Sequence, residues 1–155
     1  MPTSLTGIRG LQETGSGLLA GYQGDSLTGL GLPSIVGLIQ ADNKAAALGY
    51  PSTVLYTTTQ SGVFMITAAL NVYGAAGTTN GTITPYVVYW SDDSGSPQAV
   101  VVGSAVSMSS AAPKTSQGCT LIRASANTAI YGSTVFSASA TGATYTFSMS
   151  CLRLL

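Results

Sequence analysis

Residues 144–153 read Thr144-Tyr-Thr-Phe-Ser-Met-Ser-Cys-Leu-Arg153, and this stretch decides the fold class. Apolar side chains alternate with hydroxyl side chains along it. Because successive side chains of a β-strand point to opposite faces of a sheet, the alternation predicts a strand with one buried face and one polar face. The apolar set is Tyr145, Phe147, Met149 and Cys151, and the hydroxyl set is Thr144, Thr146, Ser148 and Ser150.

The chain from Thr53 up to this strand has the same β character. β-Branched, aromatic and small residues dominate, and turn signals recur about every ten residues, which is the spacing of a sandwich or barrel. We predict eight strands, at residues 53–58, 62–73, 82–91, 97–102, 104–109, 117–124, 128–138 and 144–153. The sequence therefore predicts an all-β antiparallel domain.

Two of these strands have no polar face. Apolar residues occupy both alternating sets of the strand at 62–73, and no polar face survives around residues 86–90. In a small antiparallel domain, strands covered on both sides imply a helix layer or a neighbouring subunit. This region lacks a helical pattern, so we expect an oligomer. The residues expected in the core or in a subunit interface are Phe64, Ile66, Leu70, Val72, Tyr86, Val88, Trp90, Phe136, Tyr145 and Phe147.

Residues 1–50 differ from the rest and are expected to form an irregular arm. They hold ten of the nineteen glycines, and glycine weakens helices and strands alike. Leucine and isoleucine nevertheless recur, unlike in disordered segments, so we expect the arm to lie against another surface. Residues 34–40 predict one short strand, and residues 42–48 predict one or two helical turns with Asp42 as N-cap. Gly49-Tyr50-Pro51 marks the expected boundary, which leaves residues 51–155 for the sandwich.

Charge is scarce: five Lys and Arg residues and five Asp and Glu residues make 6% of the chain, and histidine is absent. A typical domain is about 25% charged. The scattered basic residues do not suit nucleic acid, which needs clusters of them. Without histidine, no serine or cysteine nucleophile has the usual base. We therefore expect that the protein is not an enzyme and holds no cofactor. Because so few charges give little protection against association, we also expect copies of the same chain to cover its surface.

The few polar candidates have structural interpretations beside the functional ones. Asp92 and Asp93 suit a tight turn that bonds its own backbone, with a weak Ca²⁺ site as the alternative. Arg123 and Arg153 each lie in a neutral strand, and we expect them either to meet a carboxylate or backbone carbonyls, within or across subunits, or to be exposed.

Other features limit the function further. Cys119 and Cys151 are too few for a disulfide scaffold, and we expect two buried thiols in adjacent strands, with a disulfide as the alternative. No run of about 18 apolar residues suggests a membrane helix, and the N-terminus shows no secretory signal. The eight tyrosines and Trp90 are expected in the core or an interface. The alternative is a glycan-binding surface at the loops 74–81 and 110–116.

Three stretches resemble the C1q/TNF-like β-sandwich domains of tailed-bacteriophage virion proteins. Residues 55–67 (LYTTTQSGVFMIT) are similar to the opening of those domains, residues 86–93 (YVVYWSDD) to their central strand and residues 145–154 (YTFSMSCLRL) to their final strand. The resemblance covers residues 53–154 and rests on patterns of strands and turns. It implies an eight-stranded jelly-roll subunit that trimerises about a three-fold axis.

Such domains occur as capsid decoration (cement) proteins, head fibres and tail-fibre tips. A tail fibre normally carries a long shaft, for which 155 residues leave no room. We therefore expect a decoration or head-fibre protein of a virion assembled in the host cytoplasm. Its partners would be itself, as a homotrimer, and the major capsid protein or neighbouring virion subunits. The alternative is a receptor- or glycan-binding tail-fibre tip. The candidates for capsid contact in the arm are Leu5, Ile8, Arg9, Leu11, Leu18 and Leu19.

Overall fold

A computed structural model describes residues 11–13, 19–21, 33–45, 49–73, 81–108, 113–138 and 143–154. All regular structure in these residues is β-strand. The strands are β1 (Leu11–Glu13), β2 (Leu19–Gly21), β3 (Ser34–Ala45), β4 (Thr53–Thr57), β5 (Gly62–Tyr73), β6 (Thr82–Trp90), β7 (Pro97–Val101), β8 (Val106–Ser107), β9 (Lys114–Ala124), β10 (Ala129–Phe136) and β11 (Thr144–Arg153).

The strands from β3 onward form two antiparallel sheets that pack as a sandwich. One sheet has four strands in the order β3-β11-β5-β9, and the other has five, in the order β4-β10-β6-β7 with β8 also paired to β6. Strands β1 and β2 pair with each other in a separate two-stranded sheet. The predicted all-β antiparallel sandwich is confirmed, and each of the eight predicted strands is present at its place in the chain.

Strand β3 departs from the prediction. The helical turn expected over residues 42–48 is wrong for residues 42–45, because the strand continues to Ala45 and pairs with β11 as far as Thr144. The physical reason is long-range: β11 would otherwise lack hydrogen-bond partners on one side, and this pairing outweighs the local helix preference of the alanines. Residues 46–48 lie outside the described residues. Strand β3 thus belongs to the sandwich, although its residues fall within the segment assigned to the arm.

The hydrophobic core lies between the two sheets. Along β5 and β11 every second side chain is buried. The sequence alternation predicts this for β11, whereas β5 carries apolar residues on both faces and its second face is only half-buried in the single chain. Each large apolar side chain buried in this way contributes about 1.5–3 kcal/mol. The main inward-facing residues are Phe64, Ile66, Leu70 and Val72 on β5, Tyr145, Phe147, Met149 and Cys151 on β11, Ile83 and Val87 on β6, and Ile130 on β10.

Thr58 joins two turns at one end of the sandwich. Its hydroxyl donates to the carbonyl of Ser125 at 2.6 Å and accepts from the amide of Thr128 at 3.0 Å, and its side chain is 1% exposed. Its carbonyl also accepts the amide of Asn127, a residue with a positive φ of 56°. The turn between β4 and β5 is therefore fixed to the turn between β9 and β10.

Candidate functional site

The acidic turn after β6, at residues 91–95, is held by hydrogen bonds and ion pairs within the chain. Ser91 accepts the amide of Gly95 at 3.0 Å, which makes the tight turn expected for this sequence. Arg123 on β9 pairs with Asp92 at 3.2 Å and with Asp93 at 3.4 Å, and the hydroxyl of Ser61 donates to Asp92 at 2.9 Å. Both carboxylates are thus engaged within the chain, which supports the turn over a Ca²⁺ site. Exposed ion pairs of this kind are worth about 0–1 kcal/mol.

The two arginines find different partners. Arg123 meets carboxylates, one of the two alternatives we expected, and it does so within one chain. Arg153 donates instead to the side-chain oxygen of Gln60 at 3.2 Å. Neither contact brings together side chains that could catalyse a reaction or bind a ligand. Across the described ranges, no group of three or more His, Cys, Asp or Glu residues is placed to hold a metal ion.

The two cysteines do not lie as expected. Cys119 on β9 is exposed and Cys151 on β11 is buried, and β5 separates the two strands. The prediction of two buried thiols in adjacent strands is therefore wrong, and the disulfide alternative is wrong as well, since both thiols are free and point to opposite faces of the sheet. Burial raises the pKa of the Cys151 thiol to about 12, so this thiol is unreactive in the folded protein.

The outer surface of the four-stranded sheet, here called the four-stranded face, carries an apolar row. Ile35, Leu152, Met65 and Leu121 are register partners on successive strands and so form a line across the whole sheet. The two end members are well exposed: Ile35 at 70% and Leu121 at 64%. The row therefore presents apolar side chains to solvent in the single chain.

A concavity lies beside the apolar row on the same face. Its volume is about 520 Å³. It exists because the central strands carry small residues there, while larger side chains stand on the edge strands. Two of the small residues, Thr67 and Ser150, bond to each other through their hydroxyl groups at 2.6 Å. Residues that line it include Leu38, Ala69, Gln117, Cys119 and Ser148.

The outer surface of the five-stranded sheet, here called the five-stranded face, is more apolar. Val54, Tyr131, Val88 and Ala99 are register partners on β4, β10, β6 and β7 and form a line from one edge of the sheet to the other. Further apolar residues stand on both sides of this line. The exposed large side chains of the face are Val54 (51%), Trp90 (44%), Val101 (55%), Tyr131 (36%) and Val135 (51%).

Charge is distributed unevenly between the two sheets. None of the strands β4, β6, β7, β8 and β10 contains Asp, Glu, Lys or Arg. The four-stranded sheet, in contrast, holds Asp42 and Lys44 on β3, Lys114 and Arg123 on β9, and Arg153 on β11. The strands of the five-stranded sheet therefore carry no charged side chain, and the nearest carboxylates are those of the turn between β6 and β7, which pair with Arg123.

The structure divides the residues predicted for core or interface into two groups. Phe64, Ile66, Leu70, Val72, Tyr145 and Phe147 lie in the core, and Phe136 is half-buried against it. Tyr86, Val88 and Trp90 lie on the five-stranded face, where Trp90 is 44% exposed.

Other predicted positions fall partly outside the described residues. Of the capsid-contact candidates, Leu11 and Leu19 begin β1 and β2, and Leu5, Ile8, Arg9 and Leu18 lie outside. Residues 74–80 and 110–112 of the two proposed glycan loops also lie outside. Sequence reasoning missed the exposed Val54, Val101, Tyr131 and Val135, although each stands at an alternating position of its strand.

In the described part of the chain there is no helix long and apolar enough to cross a membrane.

No protein-family model matches the chain, and no curated protein matches it. Among solved structures, a structure of infectious bursal disease virus (Gx strain) is similar over 77% of this chain, with a TM-score of 0.53 and 14% identity, and the match spans 32% of the viral chain. Eiger TNF from S. frugiperda matches over 78% of this chain and 89% of its own, with a TM-score of 0.43 and 13% identity.

A Clostridium thermocellum structure of the xylanase 10B CBM22-1–GH10 modules with xylohexaose matches over 78% of this chain and 24% of its own, with a TM-score of 0.42 and 12% identity. At such identities the likeness concerns the fold alone. This chain is a jelly-roll β-sandwich, and it spans about a third of the viral chain that it resembles.

Proposed function

We propose that the chain is a non-enzymatic structural protein of a bacteriophage virion, namely a homotrimeric capsid decoration or head-fibre protein. The observation that carries the proposal is that both outer faces of the sandwich present in-register rows of exposed apolar side chains. Soluble monomers rarely expose large apolar patches, and such patches mark surfaces that other proteins cover.

Three further facts support a virion role. The chain shares its fold with part of a virus structure. Its strand and turn patterns resemble C1q/TNF-like domains of phage virion proteins. Its low charge leaves little electrostatic protection against association, which suits a subunit that is used in an assembled state.

The four-stranded face is the proposed trimer contact. Its apolar row of Ile35, Leu152, Met65 and Leu121 lies next to a concavity of about 520 Å³. A concave surface beside exposed apolar side chains accepts the convex edge of a neighbouring subunit, and a head-to-tail contact of this kind closes into a ring when the rotation is three-fold. Burying about 1,000 Å² of apolar surface per subunit is worth on the order of 25 kcal/mol before ordering costs.

Light scattering on the purified protein tests the trimer. A mass of three chains is expected at micromolar concentration, and a monodisperse monomer would defeat the proposal. Leu121→Lys places a charge in the apolar row at a side chain that is 64% exposed, so it weakens association without disturbing the core. Thr59→Lys, in the exposed turn after β4, is the matched control and leaves the trimer intact.

Residues 1–32 are the proposed attachment segment for the capsid surface. They contain the candidates Leu5, Ile8, Arg9, Leu11, Leu18 and Leu19, and they precede β3, which belongs to the sandwich. A chain that lacks residues 1–32 should still form trimers but should fail to bind capsids that lack the protein. Normal binding by the shortened trimer would refute the role of the segment.

A receptor- or glycan-binding tail-fibre tip is the second candidate function. The observation in its favour is that Trp90 and Tyr131 are exposed on one sheet face, and aromatic side chains can stack on sugars. A glycan array, together with inhibition of phage adsorption by the free protein, separates it from the first. Adsorption inhibition without capsid binding would favour the tip.

A further inference from the structure

We propose that the five-stranded face is a second self-association surface, on which the same face of another copy packs about a two-fold axis. The contact goes beyond the three-fold assembly and needs none of its residues. The statement that it joins one trimer to another rests on the proposed function.

The extent of the apolar surface is the first argument. The line of Val54, Tyr131, Val88 and Ala99 crosses four strands, and Trp90 and Val101 extend it along β6 and β7. With strands about 4.8 Å apart and about 3.4 Å per residue along them, the face measures roughly 500 Å². Two such faces bury roughly 1,000 Å², which is the lower limit for a specific interface.

The absence of charge from the five strands is the second argument. A highly charged partner, such as nucleic acid, an anionic membrane or an acidic peptide, would lose hydration without gaining an ion pair on this sheet. Another copy of the same face brings strands that are equally free of charged residues. Two sheets of this kind pack face to face about 10 Å apart, as they do inside a sandwich.

The polar side chain near the centre of the face is not available to a sugar. Sugar recognition requires free donors and acceptors placed beside the aromatic rings. Ser133, near the centre of the face, is 3% exposed, and its hydroxyl already donates to the carbonyl of Tyr50 at 2.8 Å. Three of the five exposed large side chains of the face, Val54, Val101 and Val135, are aliphatic, which favours protein over carbohydrate.

The edge strands favour contact through the face over contact through the edge. Strands β4 and β7 have five residues each, and β7 begins with Pro97, which has no amide hydrogen. Short edges and edge prolines discourage the addition of another strand. The exposed apolar surface is therefore more readily covered by stacking than by continuing the sheet.

In this arrangement a trimer built on the four-stranded face directs its three five-stranded faces outward. Each of them meets one neighbouring trimer, so the contacts repeat in two dimensions and build a net. A single contact of roughly 1,000 Å² is weak, but several contacts per trimer act together and strengthen the net. Such a net suits a protein that covers a shell.

Sedimentation velocity over a concentration series tests the contact with charged variants of the face. Val101→Lys and Val54→Lys alter side chains that are 55% and 51% exposed, so neither disturbs the core. As its concentration rises, the wild-type protein is expected to form species larger than its trimer, or larger than the single chain if no trimer forms. Each variant raises the dissociation constant of this further association by about tenfold or more. Thr59→Lys, which adds the same charge in a turn away from the face, behaves as wild type.

Cross-linking tests the symmetry of the contact. Val88→Cys in a Cys119→Ser background places one reactive thiol at the centre of the face, since Cys151 is buried. A short bismaleimide should yield a covalent dimer, whereas Ser94→Cys, in the exposed turn after β6, should not.

Three results would overturn the contact. The first is that both lysine variants associate as strongly as the wild type. The second is that the wild type, at its highest soluble concentration, forms nothing larger than its trimer or single chain. The third is that the protein binds a sugar, and that Trp90→Ala abolishes this binding while assembly stays unchanged. The test is separable from that of the proposed function. Covalent dimers from a protein that forms no trimer and binds no capsid would support the contact and defeat the virion role, and a capsid-binding trimer without dimers would do the reverse.

Discussion

Gly37 on β3 lies directly against the main-chain carbonyl of Leu55 on β4, so closely that a β-carbon at position 37 would clash with the carbonyl oxygen. The two strands belong to different sheets. This approach fixes β3 to the sandwich at a point where only glycine fits.

Gly37→Ala should therefore destabilise the fold by about 3 kcal/mol or more, because the backbone of β3 or β4 must shift to admit the methyl group. Urea unfolding at fixed protein concentration measures the effect. Gln40→Ala, an exposed position on the same strand, should stay within about 0.5 kcal/mol of wild type. Equal stability of the two variants would mean that β3 is not held in this way.

Thr58→Val should cost about 1–3 kcal/mol, because the variant keeps the volume but removes the hydroxyl that bonds Ser125 and Thr128. The amide of Thr128 would lose that partner in a part-buried position, while the carbonyl of Ser125 would keep its bond from the Thr128 hydroxyl. Thr59→Val, one residue further on and exposed, controls for the change of side-chain type. Thermal unfolding of both proteins supplies the comparison, and a Thr58→Val protein as stable as its control would contradict the role of this hydroxyl.

The native protein should react with one equivalent of maleimide when it is dissociated into single chains, and with two after denaturation. Cys119 is exposed and Cys151 is fully buried. Because Cys119 lines the concavity of the four-stranded face, assembly through that face should slow its labelling. Mass spectrometry after timed labelling reads both effects, and equally fast labelling of Cys119 in single chains and in assembled protein would argue against a contact there.

Stability should fall as pH rises above about 9, in part through Cys151. Burial raises the pKa of this thiol from 9.0 to about 12, so the folded state holds its proton over a range in which the unfolded state loses it. The stabilisation is complete below the unfolded pKa and is lost as pH rises towards the folded one, at up to about 1.4 kcal/mol per pH unit.

Cys151→Ala should show a shallower decline of unfolding free energy than the wild type between pH 9 and pH 11. The comparison of slopes matters because burial also raises the pKa of Tyr145 and of Tyr89, and their contributions are common to both proteins. Parallel slopes would show that Cys151 does not titrate in this way.

The strands from residue 53 onward could be predicted from the sequence because their signals are local. Alternation along β11 and the turn at Asp92 and Asp93 depend only on neighbouring residues. The first half of β3 was predicted as a short strand at residues 34–40, but its second half could not be predicted, since it is held by pairing with β11, about a hundred residues away in the chain. Local helix preference at Ala45 gave the wrong answer for that reason.

The interaction surfaces were predicted less completely. Alternation shows that Val88 and Val87 face opposite ways, but it does not show which neighbours complete each face. Val54, Tyr131 and Val88 become one line only when β10 is placed between β4 and β6. The same limit applies to the cysteines: Cys119 and Cys151 both lie in strands, and only the strand order separates them.

Strands β3 and β11 run side by side with Ser34 opposite Arg153, so the first and last strands of the sandwich start and finish at one pole. A peptide fused after β11 would leave the sandwich at the pole where β3 begins. The link between β10 and β11, by contrast, begins and ends at the other pole, where Thr144 stands opposite Tyr73. If residues 1–32 attach the protein to a capsid as proposed, a foreign epitope inserted there would lie at the pole opposite the attachment, which makes that connection the choice for display.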